Sequence, residues 1–172
     1  MNTRPQHAPI TTFQVADGQL IVGGIPLMQL AARIGQTPFY AYSRQALTQR
    51  MHELRKAMPS TLKIHYAMKA NPMPAVVQHM ATLVDGFDLA SAGEMKVALD
   101  TTMPAKHISF AGPGKRPAEL KQAIAAGVTI NAESLHELDS IAAQCEALGL
   151  NANVALRINP AFELKSSGMK MG

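Results

Sequence analysis

A parallel-sheet α/β fold is what this sequence predicts, on three observations. Short β-rich runs recur from Phe39 onward, helically spaced segments separate them, and capping boxes mark two strand-to-helix transitions. With 172 residues and 47% hydrophobic content, the chain is long enough to bury one substantial core. At this level a doubly wound sheet and a barrel both satisfy the pattern.

Taken in order, residues 15–24 read as two short strands around the Asp17-Gly18 turn, and this segment before Gly35 is assigned to a different structural unit. Residues 39–42 read as a strand. Residues 45–58 read as a helix, because Ala46, Leu47, Met51, Leu54 and Met58 recur near three- and four-residue spacing before Pro59 ends the run. Further strands are expected at 63–68, 86–89, 107–111, 128–131 and 153–158, with helices between them. Ser91 followed by Glu94, and Ser134 followed by Glu137, are the two capping boxes. No low-complexity tract or solenoid repeat interrupts the series.

Composition narrows the function classes. The net charge is +4, but the 16 basic residues are scattered rather than gathered into a run that would track a phosphate backbone, so nucleic acid is not an expected partner. Cys145 is the single cysteine, which rules out an intramolecular disulfide and a thiol-rich metal site, and a reducing cytoplasm is the expected location. The first twelve residues lack the apolar run of a secretory signal, and no stretch of about 18 apolar residues predicts a membrane span.

In parallel α/β folds chemistry collects at the carboxyl ends of strands. Lys69 follows an apolar strand, with small Ala67 leaving room beside it. An amine partly withdrawn from water there becomes a more available nucleophile, whereas the structural alternative is a lysine reaching into solvent. Asp88 sits among apolar neighbours and needs a partner. It is either an acid that orients a cationic group or a structural carboxylate bonded to loop amides. Arg157, in the apolar run 155–158, should have an anionic partner. Asn131 and Glu133 close the preceding strand. The loop Gly112-Pro113-Gly114-Lys115 lacks Walker spacing and reads as an ordinary turn, with Lys115 a weak candidate. Glu94 reads as a cap only, and His65 and Cys145 receive no catalytic assignment.

The ordered blocks TPFYAY, HYAMKANP, GFDLASAGEM, SFAGPGK, GVTINAESLHEL and RINP make the chain, from about Gly35 onward, resemble the fold-type III pyridoxal-phosphate decarboxylases that include the diaminopimelate, ornithine and arginine decarboxylases. Its blocks, RINPAFELKSSGMKMG above all, look most like decarboxylases associated with exosortase A systems. The resemblance implies a partial (β/α)8 TIM-like barrel of the alanine racemase/decarboxylase type over residues 35–172, with residues 1–34 supplying strands to a second β domain. It implies pyridoxal 5'-phosphate as cofactor, Lys69 as its Schiff-base lysine, and Asp88 and Arg157 in the cofactor-binding network. It further implies decarboxylation of a small amino-acid substrate, free or carrier-tethered, by a homodimer. Because a complete barrel takes about 250 residues, the family's cofactor-stacking histidine, glycine-rich phosphate loop and acidic pyridine partner are expected beyond this chain, which should not turn over alone. A pyridoxal-phosphate racemase and a non-catalytic cofactor-binding homologue are the competing expectations.

Overall fold

The computed structural model describes residues 11–158. The chain packs as two compact units, Met1–Pro59 and Ser60–Gly172.

In the first unit, β1 (Gln14–Ala16), β2 (Gln19–Val22) and β3 (Ile25–Pro26) form an antiparallel meander in that order. Asp17 and Gly18 both adopt positive φ, 50° and 72°, as a two-residue primed hairpin turn requires. The strands are followed by a helix that the sequence reading omits, α1 (Leu27–Ile34). Its signal is present in hindsight: Leu27, Leu30, Ala31 and Ile34 share a face, and Gly35 ends the helix in the left-handed region. Helix α2 (Arg44–Ala57) opens on the Ser43 hydroxyl, which accepts the Ala46 amide at 3.2 Å. Residues 39–42, expected as a strand, are not one. A strand exists only where a ladder partner takes its amides, and none does so among the described residues. Tyr40 is accordingly 90% exposed.

The second unit is a five-stranded parallel sheet of β4 (His65–Ala67), β5 (Gly86–Leu89), β6 (Ile108–Phe110), β7 (Thr129–Ala132) and β8 (Asn153–Leu156). Each expected βα strand from 63–68 onward is found: 86–89 with the same bounds, 128–131 shifted by one residue, and the other three shorter by two or three residues. Helices α3 (Pro74–Ala81), α4 (Ala92–Leu99), α5 (Pro117–Ala126) and α6 (Leu135–Leu148) connect them. Strand order equals chain order, β4 to β8, with no reversal. A doubly wound sheet requires the order to turn back on itself, so the choice left open by the sequence falls to the barrel type of winding. Right-handed crossovers that always advance in one direction put every helix on one face.

The burial pattern follows from that winding. Phe87, Leu89, Ile108, Phe110, Ile130 and Ala132 alternate along β5 to β7 and are buried, as are Val77, Met95, Leu120 and Ile141 of the four helices. Each fully buried large side chain contributes about 1.5–3 kcal/mol, so this helix-side layer is what holds the sheet together. The opposite face carries the intervening residues, and none of the helices α3 to α6 lies over it.

Candidate functional site

Register fixes what lies on the uncovered face. Ala67, Asp88, Ser109, Thr129 and Asn153 are successive cross-strand partners, so their side chains form one row across the sheet. Within this row the Ser109 hydroxyl donates to Asp88 Oδ1. His65, one pleat toward the amino end, places Nδ1 3.4 Å from the same oxygen. The imidazole fits because Gly86 has no side chain: a Cβ there would lie 2.6 Å from His65 Cε1 and 2.4 Å from the His107 carbonyl oxygen. Asp88 therefore has partners, but they are side chains of the open face rather than loop amides, and its Oδ2 has none among the described residues.

At the carboxyl end of β4 the chain turns into a short 3-10 helix, Met68–Ala70. Met68 is fully buried and anchors the turn, while Lys69 beside it is exposed. Among the described residues the Lys69 side chain has no hydrogen-bond or ion-pair partner. The partial withdrawal from water expected for this amine is thus not supplied by residues 11–158. The turn is tied by the Tyr66 hydroxyl, which donates to the Asn71 carbonyl at 3.0 Å, and by Asn71 Oδ1, which accepts the Met73 amide at 3.0 Å. The Asn71 Nδ2 donor is buried without a partner among the described residues.

A second cluster joins the loops after β6, β7 and β8. Arg157 extends the β8 ladder by one bond, its amide donating to the Ala132 carbonyl at 2.9 Å. Its guanidinium lies 3.3 Å from Glu133 Oε2, which is the anionic partner the sequence demands. Glu133 Oε1 accepts the Gly112 amide at 2.6 Å. The Glu133 amide in turn donates to Glu137 Oε2 at 2.8 Å, and Glu137 Oε1 accepts from Lys115 Nζ at 2.9 Å. Lys115, 1% exposed, also donates to the carbonyls of Gly112 (2.6 Å) and Asn131 (2.8 Å), so all three of its protons are used. The loop expected to be an ordinary turn is therefore the socket of a buried ammonium, and Lys115 is a clamp with no proton left for a ligand.

The Ser-Glu caps serve this architecture. The hydroxyls of Ser91 and Ser134 accept the amides of Glu94 and Glu137, and each glutamate reaches back to the residue before its cap, Ala90 or Glu133. A further cap, at α5, carries no sequence signal, because arginine is not a capping type. Glu119 accepts the Arg116 amide at 3.0 Å, and its other oxygen accepts the Ala92 amide of the neighbouring helix. Those bonds, the Arg116 amide first, hold its carboxyl below the usual carboxylate value, against the opposing effect of burial.

The structure thus gathers Lys69, Asp88 and Arg157 in one unit, on the open face of the sheet and at the carboxyl ends of its strands, without bonding them to one another. Sequence reading missed Glu133 and Lys115 as fixed partners. Among the described residues no cluster of His, Cys, Asp and Glu could hold a metal ion, and no helix is long and apolar enough to cross a membrane.

Comparison with known proteins gives a consistent result. Residues 44–171 match the family model described as the pyridoxal-dependent decarboxylase, pyridoxal binding domain. A diaminopimelate decarboxylase from Zymomonas mobilis is 39% identical over 153 residues, covering 86% of this chain and 36% of that protein. A solved structure from Aquifex aeolicus superposes with a TM-score of 0.80 at 37% identity, over 88% of this chain and 38% of that one. A diaminopimelate decarboxylase from M. jannaschii, solved with L-lysine, gives a TM-score of 0.75 at 30% identity, over 89% of this chain and 37% of the other. The chain thus spans little more than a third of the length of these relatives.

Proposed function

This chain belongs to the pyridoxal-dependent decarboxylase family through its pyridoxal-binding domain, and from that membership we propose that it is the N-terminal part of an enzyme that decarboxylates an amino acid or an amino-acid-derived substrate, with Lys69 holding the cofactor. The family's cofactor is pyridoxal 5'-phosphate, which carries an aldehyde and a phosphate and, when bound, supplies an electron sink for the carbon that loses CO₂.

The residues present fit such a group. Lys69 offers an amine without a partner among the described residues at the carboxyl end of β4, and this observation carries the reading. Small Ala67 at the end of β4 leaves space beside it, and Ala90 and Ala111, just beyond β5 and β6, add no bulk at the neighbouring strand ends. Asp88 keeps one carboxylate oxygen free to face a cation or accept a proton. Arg157, 31% exposed at its side chain, keeps guanidinium donors for an anion.

Residues 35–172 are proposed as the first part of the barrel and 1–34 as segments of a second β domain, supported by the antiparallel meander β1–β3. The blocks beyond Ile158, on which the likeness to exosortase A-associated decarboxylases leans, lie outside the described residues. The L-lysine held by the M. jannaschii relative supports an amino-acid substrate, free or carrier-tethered. A cytoplasmic homodimer, with turnover requiring the remaining strands, completes the proposal.

The test is borohydride reduction of the complete enzyme carrying this chain, loaded with pyridoxal phosphate, followed by peptide mass mapping. The adduct is expected on the Lys69 peptide and absent from Lys69→Ala. Labelling of another side chain, or of none, overturns the assignment. Product analysis then checks the reaction class: CO₂ and an amine support decarboxylation, and an inverted amino acid indicates racemisation.

A further inference from the structure

Register places Arg157 on the same open face as Asp88. Leu156 pairs with Ala132 on the helix side, and the Arg157 amide carries the ladder one bond further, so by alternation Arg157 falls on the uncovered side, with its guanidinium 3.3 Å from Glu133. Glu133 is held at three points. Its amide is bonded to Glu137 Oε2, its Oε1 takes the Gly112 amide at 2.6 Å, and its Oε2 faces the guanidinium at 3.3 Å. Glu137 is itself pinned by Lys115, 1% exposed. The carboxylate is 11% exposed, and its other oxygen is tied to the Gly112 amide. Arginine, by contrast, is a long side chain, and an unpaired one at a strand end would sample many rotamers.

We propose that Glu133 is the positioning residue of the cofactor site: its carboxylate sets the direction of the Arg157 guanidinium and leaves the remaining N–H donors for an anionic group of the bound cofactor. The proposal rests on the reading that Arg157 contacts that group. Holding the fork in advance removes an ordering cost from binding, so the effect appears in affinity.

The experiment is a double-mutant cycle in the complete enzyme with Glu133→Gln, Arg157→Ala and the pair. It reads the dissociation constant of pyridoxal phosphate from the cofactor's absorbance, and the melting temperature of each apo form. Glutamine keeps an acceptor for the Gly112 amide and removes the charge from Arg157. Glu133→Gln is expected to weaken cofactor binding about tenfold with the apo melting temperature little changed, Arg157→Ala at least as much, and the double variant no more than Arg157→Ala alone. Two independent losses that multiply in the double variant, or wild-type affinity in Glu133→Gln beside a loss in Arg157→Ala, overturn the positioning role. Wild-type affinity in Arg157→Ala instead overturns the reading of Arg157 on which the proposal stands. Should Glu133→Gln not accumulate as folded protein, the same cycle run with Glu133→Asp decides by the same coupling.

Discussion

Single residues here divide into those that hold the frame and those left free to act. Lys115 is the clearest of the first kind. Replacing it with methionine would strand the Glu137 carboxylate, 8% exposed, and remove the donor of two loop carbonyls. Breaking a buried pair from one side costs about 3–5 kcal/mol, so Lys115→Met in the complete enzyme should lower the urea midpoint by a matching amount, and a loss below about 0.5 kcal/mol would mean the pair is effectively solvated. Gly86 is a subtler case. Its Cβ would meet a backbone carbonyl at 2.4 Å, which cannot rotate aside, so Gly86→Ala should destabilise more than the same change at Gly114, whose Cβ meets nothing within 4 Å. Comparing the two unfolding midpoints decides it. Lys69, Asp88 and Arg157 were open to selection as candidates from their places at or near strand ends. Their partners were not: Glu133 lies 24 residues from Arg157, and Glu137 lies 22 from Lys115. Only strand register brings such residues together, and periodicity does not encode register across a crossover.

Elements were legible where a local signal coincides with burial. The strands β4 to β8 are short apolar runs bounded by turns, and the serine caps at Ser91 and Ser134 announce α4 and α6. The two failures have opposite causes. Residues 39–42 have strand composition but no ladder partner among the described residues, whereas α1 is a short amphipathic turn hidden beside a run of strands. The cap of α5 was invisible because Glu119, not the residue at the cap position, supplies the acceptor. That carboxylate carries a pH dependence whose sign is fixed. Its pKa in the folded chain is lowered from 4.5, so it stabilises the fold at pH values above 4.5, and the contribution disappears as pH falls through the lowered value. Glu119→Gln keeps an acceptor for the Arg116 amide but loses the charge, so it should cost roughly 0.3–1 kcal/mol at pH 7, and the gap between variant and parent in denaturant unfolding should close on acidification. A gap that stays constant into strong acid would show that the carboxylate's charge is not what matters.

At the scale of the molecule, a singly wound sheet has a consequence that no single element shows. Ile130 and Ala132 of β7 are 0% and 3% exposed beneath the helices. Their partners in β8, Val154 and Leu156, point to the same side yet are 41% and 64% exposed, and Ile158 beyond them is 80% exposed. The sheet thus presents an apolar stripe along an edge strand, beside ladder groups unpaired among the described residues and an open inner face holding Asp88 and Arg157. Both features invite association with any other strand or apolar surface. Barrel closure would remove the edge and cover the stripe with a further helix while drying the site around Lys69. Residues 1–172 prepared alone should consequently aggregate, or bind a hydrophobic dye without a cooperative unfolding transition, while the complete enzyme does neither. Light scattering together with urea unfolding of both preparations makes the comparison. A sharp, monomeric transition from the 172-residue chain would mean that the exposed stripe is tolerated, and that closure contributes to the chemistry of the site rather than to the stability of this half of the barrel.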